Sequence, residues 1–290
     1  MKRVAKSNVI YSYSIRHNPV ECVKIGEPLA LMTEDAFGGQ IRNVSDKVER
    51  LDWSKVDGAT GPVYVDTAEP GDTLEVEILG VKTESKGVIV AIPKHGVLAE
   101  KSFKSSTQMV PLNRGLVHFE KSVNLRARPM VGTIGVTPKG VEVSTGSLGK
   151  HGGNMDVKEM IAGAKLYLPV FVDGALFAAG DLHAVQADGE SCVSAVEVAG
   201  EVTLKFQLIR NRQPEWPVLE TEGSYAILAC GDTLDEAAEH AAESAVKALM
   251  REHSWPFEKA YMFSSLAADL RINQAVDPRK VFEPYCPRIL

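Results

Sequence analysis

The sequence predicts an α+β fold rich in β structure: antiparallel or mixed sheets in a sandwich- or barrel-like arrangement, with C-terminal helices packed as a covering layer. Three patterns carry that prediction. Period-two hydrophobicity, as in GDTLEVEILGVKTE (71–84), recurs through the first 230 residues. Glycine-bearing turns separate these segments at short intervals. Past residue 231 the apolar period changes to that of an amphipathic helix. Closely spaced strands of this kind favour antiparallel packing over a parallel wound sheet.

The elements follow in chain order. Residues Pro28 to Met32 form an apolar strand that runs into Glu34-Asp35 and the glycine pair Gly38-Gly39. GPVYVDTAEPGD (61–72) gives a short strand and a Pro70-Gly71 turn. In 71–84, Leu74, Val76 and Ile78 alternate with Thr73, Glu75 and Glu77, so one face is buried. KLYLPVFVDGALFAAG (165–180) holds two apolar strands about Asp173-Gly174, a dipeptide suited to a type I′ hairpin. CVSAVEVAGEVTLKFQLI (192–209) repeats that design with a turn near Ala199-Gly200.

The helical part opens at Thr233, which stands three residues before Glu236 in capping-box spacing. Leu234, Ala237, Ala238, Ala241, Ala245, Ala248 and Leu249 then make one apolar stripe. A second helix, PFEKAYMFSSLAADL (256–270), begins at Pro256, which suits a first turn. VDPRKVFEPYCPRIL (276–290) is broken by prolines and reads as an extended strap. With no linker or repeat in view, residues 1–290 are expected to form one compact unit: β-rich over 1–230, helical layer and strap over 231–290.

Composition excludes several classes. A hydrophobic share of 44% with 24% charged residues argues against global disorder. The net charge of -6 and the lack of a Lys/Arg-rich run argue against a nucleic-acid partner. No apolar run reaches the roughly 20 residues of a membrane helix. The start, MKRVAKSNVIYSYS, is basic without the apolar core of a signal peptide. Cys22, Cys192, Cys230 and Cys286 lie far apart with no CxxC pair, which points away from a zinc knuckle or disulfide scaffold and toward a reducing cytoplasm. There is no GxSxG elbow, Walker A loop or HExxH helix, and neither STGS (144–147) nor KSSTQ (104–108) has the context of a serine amidase.

Three polar stretches remain. GDLHAVQADGE (180–190) leaves an apolar run carrying Asp181, His183, Gln186, Asp188 and Glu190. On an extended backbone Asp181 and His183 share a face, where carboxylate and imidazole could bind a divalent ion, zinc first and calcium second. Glu190, beyond Asp188-Gly189, could turn back as a base; a satisfied polar network is the plainer alternative. GKHGGNMD (149–156) sets His151, Asn154 and Asp156 around Gly152-Gly153, whose exposed amides suit an oxyanion or a small amide. Asn154 or Asp156 could instead cap a helix over VKEMIAGAKL, with the glycines serving only the turn. In LMTEDAFGGQI (31–41), Asp35 ends a strand and could complete a metal site or simply form a turn. Of the other histidines, His95 beside Gly96 is the best outsider.

In this order and spacing, GPVYVDTAEPGD, HGGNMD and GALFAAGDLHAVQADGE resemble the acetamidase/formamidase family, and SLAADLRINQAVDP (265–278) is similar to its C-terminal signature. Ala187, where that pattern usually has Gly, and His95 in IPKHG are departures. The resemblance implies hydrolysis of small aliphatic amides to acid and ammonia, a β-rich fold with helical cover, and self-association, a dimer being the simplest form. On that footing the expected metal ligands are Asp181, His183 and Asp35. Glu190 is the expected proton carrier, with His151 assisting. Gly152, Gly153, Asn154 and Asp156 are expected to hold the substrate. A non-catalytic small-ligand binder, or a hydrolase of another amide or imide, is the alternative reading.

Overall fold

The computed structural model describes residues 1–277 and the backbone of residues 280–287. Two large sheets, of ten and twelve strands among the described residues, face each other across the principal core. At the centre of the ten-stranded sheet, Thr73–Thr83 pairs antiparallel with Gly200–Ile209 and with Lys165–Pro169. Its inward side chains are those the alternation marks: Leu74, Val76 and Ile78 are fully buried. At the centre of the twelve-stranded sheet lies Phe177–His183, buried at every position. It is flanked by Met130–Gly135 on one side and by Ala59–Val65 and Glu197–Val198 on the other. Phe177 and Phe206 meet edge to face across the gap, with ring centroids 5.0 Å apart, so the two sheets share one packed interior.

Two turns differ from the hairpins that the sequence predicts. Lys165–Pro169 and Phe177–His183 belong to different sheets, so the chain crosses the core at Asp173-Gly174. The same holds at Ala199-Gly200, between Glu197–Val198 and Gly200–Ile209. Each of these runs is apolar on both sides of its turn, which serves a crossing between two buried strands as well as it serves a hairpin. A side chain at Gly200 would stand 2.1 Å from the Lys82 carbonyl oxygen, so that crossing requires glycine.

The helices follow the predicted order. Helix α1, Leu234–His253, is capped by Thr233, whose side chain accepts from the Glu236 amide at 3.1 Å. Glu236 in turn accepts from the Asp232 amide at 2.7 Å. Its buried face is Ala237, Ala241, Ser244, Ala245, Val246 and Leu249, while Leu234 is exposed. The small residues allow close approach: Gly231, at the end of the strand Ala229–Gly231, would place a side chain 2.6 Å from the Ala237 amide nitrogen. Helix α2, Phe257–Ala267, is shorter than expected and buries only Ala260. The remainder of its predicted span opens the strand Asp269–Gln274. The expected strap is a strand at Lys280–Pro287, paired with Asp269–Gln274 and with Ser224–Ile227; Pro278, Arg279, residues 288–290 and the Cys286 side chain lie outside the described residues. No helix among the described residues is long and apolar enough to cross a membrane.

The turn after Glu69 is tied to the far end of the central strand pair through Asp72. Its carboxylate accepts from the Glu69 amide at 3.2 Å, the Asn211 amide at 3.1 Å and Arg210 Nη1 at 2.7 Å. Burial alone would raise this carboxyl, but the two amides and the Arg210 charge hold it below the usual range. A lowered folded-state pKa stabilises the protein above the unfolded value and ceases to do so as pH falls through the folded one. Asp72→Asn should therefore cost about 2 kcal/mol at neutral pH. In denaturant titrations that deficit should begin to shrink below about pH 4, where Asp72 of the unfolded parent takes up a proton, and close as pH falls through the lowered folded-state value.

Candidate active site

The strand Phe177–His183 delivers the first two groups. Asp181 and His183 lie two apart and on one face, and His183 Nε2 stands 3.3 Å from Asp181 Oδ1. The adjoining strand adds a third, because Glu197 is the cross-strand neighbour of His183 and its Oε2 lies 3.0 Å from the same nitrogen. Asp156, two residues beyond the strand Gly152–Asn154, brings Oδ1 to 3.8 Å. All four side chains are buried.

The second nitrogen of His183 fixes the chemistry of the first. Gln186 Nε2 donates to the Asp156 carbonyl at 2.6 Å, so its Oε1 faces His183 Nδ1, at 2.7 Å, and accepts a hydrogen bond from Nδ1–H. With Nδ1 protonated, Nε2 meets three carboxylates either as the N–H of an imidazolium or as a lone pair beside a bound cation. Desolvation works against a charged ring, but the Glu197 and Asp181 charges outweigh it and raise the imidazole well above its ordinary value.

Around this group runs a cavity of about 250 Å³, lined also by Asp57, Glu190, Asn154 and Asp277. Burial, then neighbouring acids, raises Asp57, Asp156 and Glu190 well above the usual carboxylate range, and Glu197 to about 7. Asp181 alone among them is lowered: burial opposes it, but His183 and hydrogen bonds overcome that. Four of these acids hold left-handed backbone: Asp57 at φ 54°, Asp156 at 48°, Asp181 at 52° and Glu190 at 43°. Such a conformation costs a residue with a Cβ about 1–3 kcal/mol and gathers where surrounding structure imposes it.

Cation binding fits this donor set. Two groups bring their ligand atoms within 4.8 Å of one another: Asp181, His183 and Glu197, and Asp156, His183 and Glu190. Asp156 Oδ1 is buried with no hydrogen-bond partner among the described residues. The floor is bare because residue 132 is glycine; a side chain there would come within 2.6 Å of Asp156 Oδ1 and 2.8 Å of Asp181 Oδ2. One imidazole, several hard carboxylate oxygens and an unmatched buried oxygen are the ligand chemistry of a divalent ion.

The family model for the acetamidase/formamidase family matches residues 14–144 and 142–287. The chain belongs to that family. Within it, a formamidase of Methylophilus methylotrophus is 26% identical, over 75% of this chain and 70% of that protein. An acetamidase of Mycolicibacterium smegmatis is 26% identical, over 65% and 63%. The chain thus spans 62–70% of the length of the curated relatives it matches. The solved acetamidase of Bacillus halodurans is similar with a TM-score of 0.96 at 36% identity, covering 98% of this chain and 97% of that one. A gamma lactamase from Delftia acidovorans, at 21% identity and a TM-score of 0.71, shares the fold.

In this acetamidase/formamidase family member the sequence-selected residues take unequal places. Asp181, His183, Asp156, Asn154 and Glu190 all line the cavity. Asn154 spends its amide inside the protein, accepting from Thr133 Oγ1 and donating to Asp277 Oδ2, both at 2.9 Å. Gly152 and Gly153 let three strands close up: side chains there would meet the Ile134 and Ser147 carbonyl oxygens at 2.4 and 2.0 Å. His151 packs its ring against Tyr13, centroids 5.2 Å apart. Asp35 lies outside both ligand groups, its Oδ1 holding a turn through the Phe37 and Gly39 amides at 2.9 and 3.1 Å. No helix follows Asp156.

Sequence reasoning misses Glu197, Asp57 and Asp277. Glu197 alone leaves a signal, an acid between Val196 and Val198 in an otherwise apolar run. Gln186 sets the His183 tautomer. Gln186→Ala should weaken divalent-ion binding about 10- to 100-fold by titration calorimetry.

Proposed function

We propose that this family member is an amide hydrolase that cleaves the C–N bond of primary amides, formamide and acetamide being the simplest, to carboxylate and ammonia. The observation that carries the reading is the buried His183 Nε2 at 3.0 and 3.3 Å from Glu197 and Asp181, beside Glu190, on one cavity wall. The formamidase and acetamidase relatives support it.

Asp181, His183 and Glu197 would hold a divalent ion, zinc before calcium since an imidazole is among the donors. When bound, the ion supplies positive charge that acidifies water and polarises an amide carbonyl. The chain's own groups do the rest. Gln186 keeps the proton on Nδ1 of His183 and so presents Nε2 inward. Glu190, its carboxyl raised well above the usual range by burial, takes a proton from the attacking water and passes it to the departing nitrogen. Asp156 and Asp57 complete the acidic wall, and Asn154 holds Asp277 at its edge. Asp35, His151, Gly152 and Gly153 shape the scaffold around these groups.

The chain acts as one unit in a reducing cytoplasm, a reading supported by the free thiols of Cys22, Cys192 and Cys230. Self-association, a dimer first, is supported by exposed Phe257, Tyr261, Met262 and Leu266 on α2. Its small-molecule partner is the amide; neither nucleic acid nor membrane is expected.

Ammonia release from formamide and acetamide tests the reading, with protein as purified, chelator-treated and resupplied with a divalent ion. Turnover should disappear with chelation and return with the ion; turnover indifferent to chelation would remove the ion from the reaction. Glu190→Gln should lower kcat about 10²- to 10⁴-fold while substrate still binds. His183→Ala should lose bound metal and activity together.

A further inference from the structure

The cavity has two unlike walls. Besides the carboxylates and His183, the lining includes Phe37, Trp53, Val56, Ile92, His95 and Val276. An amide of three or four heavy atoms would leave most of this space to water, since about 250 Å³ is roughly eight times the ~30 Å³ share of one water in the liquid. Phe37, Val56, Ile92 and Val276 offer that water no side-chain hydrogen bonds, so an apolar occupant is favoured over solvent beside them.

The apolar wall has a fixed base and an aromatic rim. Phe37 is buried among Ile41, Val48 and Val90. At the mouth, the Trp53 and His95 rings lie parallel within 4°, centroids 6.3 Å apart, and Trp53 keeps half its surface exposed. His95 is oriented by Nδ1 against the Pro93 carbonyl at 3.1 Å. Its loop is anchored one residue past Glu190, where the Ser191 carbonyl accepts from the Val97 amide at 2.9 Å. Both rings are thereby held in the lining of the cavity that contains His183 and Glu190.

We propose that this wall binds the acyl substituent, with Trp53 setting specificity, and that the preferred substrates are primary amides with a flat or branched apolar acyl group of about four to eight carbons. This rests on the amide-hydrolase reading above. The carboxamide lies at the acidic wall and the acyl group along Trp53. Hydrolysis adds one water across the bond: C–O forms, C–N breaks, the nitrogen leaves with a proton from the water, and no electrons are exchanged.

The test is kcat/KM for ammonia release from formamide, acetamide, isobutyramide and phenylacetamide, using the full chain with divalent ion supplied. Each added methylene should raise kcat/KM about fourfold, placing phenylacetamide at least about tenfold above acetamide. Trp53→Ala should lower the phenylacetamide-to-acetamide ratio about tenfold, and Trp53→Phe should restore most of it. Because each ratio is taken within one variant, partial unfolding cancels. A rate that falls steadily from formamide to phenylacetamide, or a Trp53→Ala ratio within about twofold of the parent, overturns the acyl wall and leaves the amidase intact. Ammonia from none of the four overturns both.

Discussion

Charge balance in a desolvated pocket is the constraint on which this structure turns. Asp156, Asp181, Glu190 and Glu197 are buried around one imidazole, with Asp57 and Asp277 on the same cavity wall. Isolated buried carboxylates would be prohibitively unfavourable. An imidazolium offsets only one of these charges; the remainder calls for shared protons or a cation. The raised carboxyls and the raised imidazole are two faces of that one imbalance. A divalent ion would resolve both by reversing the sign of the local field.

Holding such a cluster together requires local sacrifices. Four acids adopt left-handed backbone, and the floor of the site is reduced to glycine at residue 132. These features are unfavourable individually and persist because the surrounding sheet over-determines them. Phe177–His183 is buried from end to end and paired on both sides, so its register cannot slip without expelling a whole face. The rigid sandwich therefore supports a strained site and keeps its carboxylates and His183 converged.

This arrangement also explains what the sequence discloses and what it conceals. Asp181 and His183 are legible because a two-residue spacing on a strand is a geometric statement. Thr233 and Glu236 are legible because capping is local. Glu197 shows only as an acid in an apolar run, since its partnership with His183 arises from strand pairing between residues fourteen apart in sequence. Asp57 and Asp277 resemble turn acids, and only the tertiary fold turns them inward. Glycine runs mislead in another way. Gly152 and Gly153 look like a ligand-binding loop, yet the close contacts they permit are with the neighbouring Ile134 and Ser147 carbonyls.

The C-terminal region contributes more than cover. From the strand Asp269–Gln274, the Asn273 carbonyl accepts from the Gly189 amide at 2.8 Å, and the Ala275 amide returns a bond to the Gly189 carbonyl at 3.1 Å. Arg271 holds Asp188 Oδ2 at 3.0 Å and Glu159 at 2.9 Å, while Lys158 binds the same Asp188 oxygen at 2.8 Å. These contacts fix the loop whose next residue is Glu190. A few residues on, Asp277 meets Asn154 at the cavity wall. The group assigned to proton transfer is thus positioned from a strand that begins two residues after α2 ends. Helices that look like an appendage to a β protein lead the chain, through the strand Asp269–Gln274, back to the cavity wall.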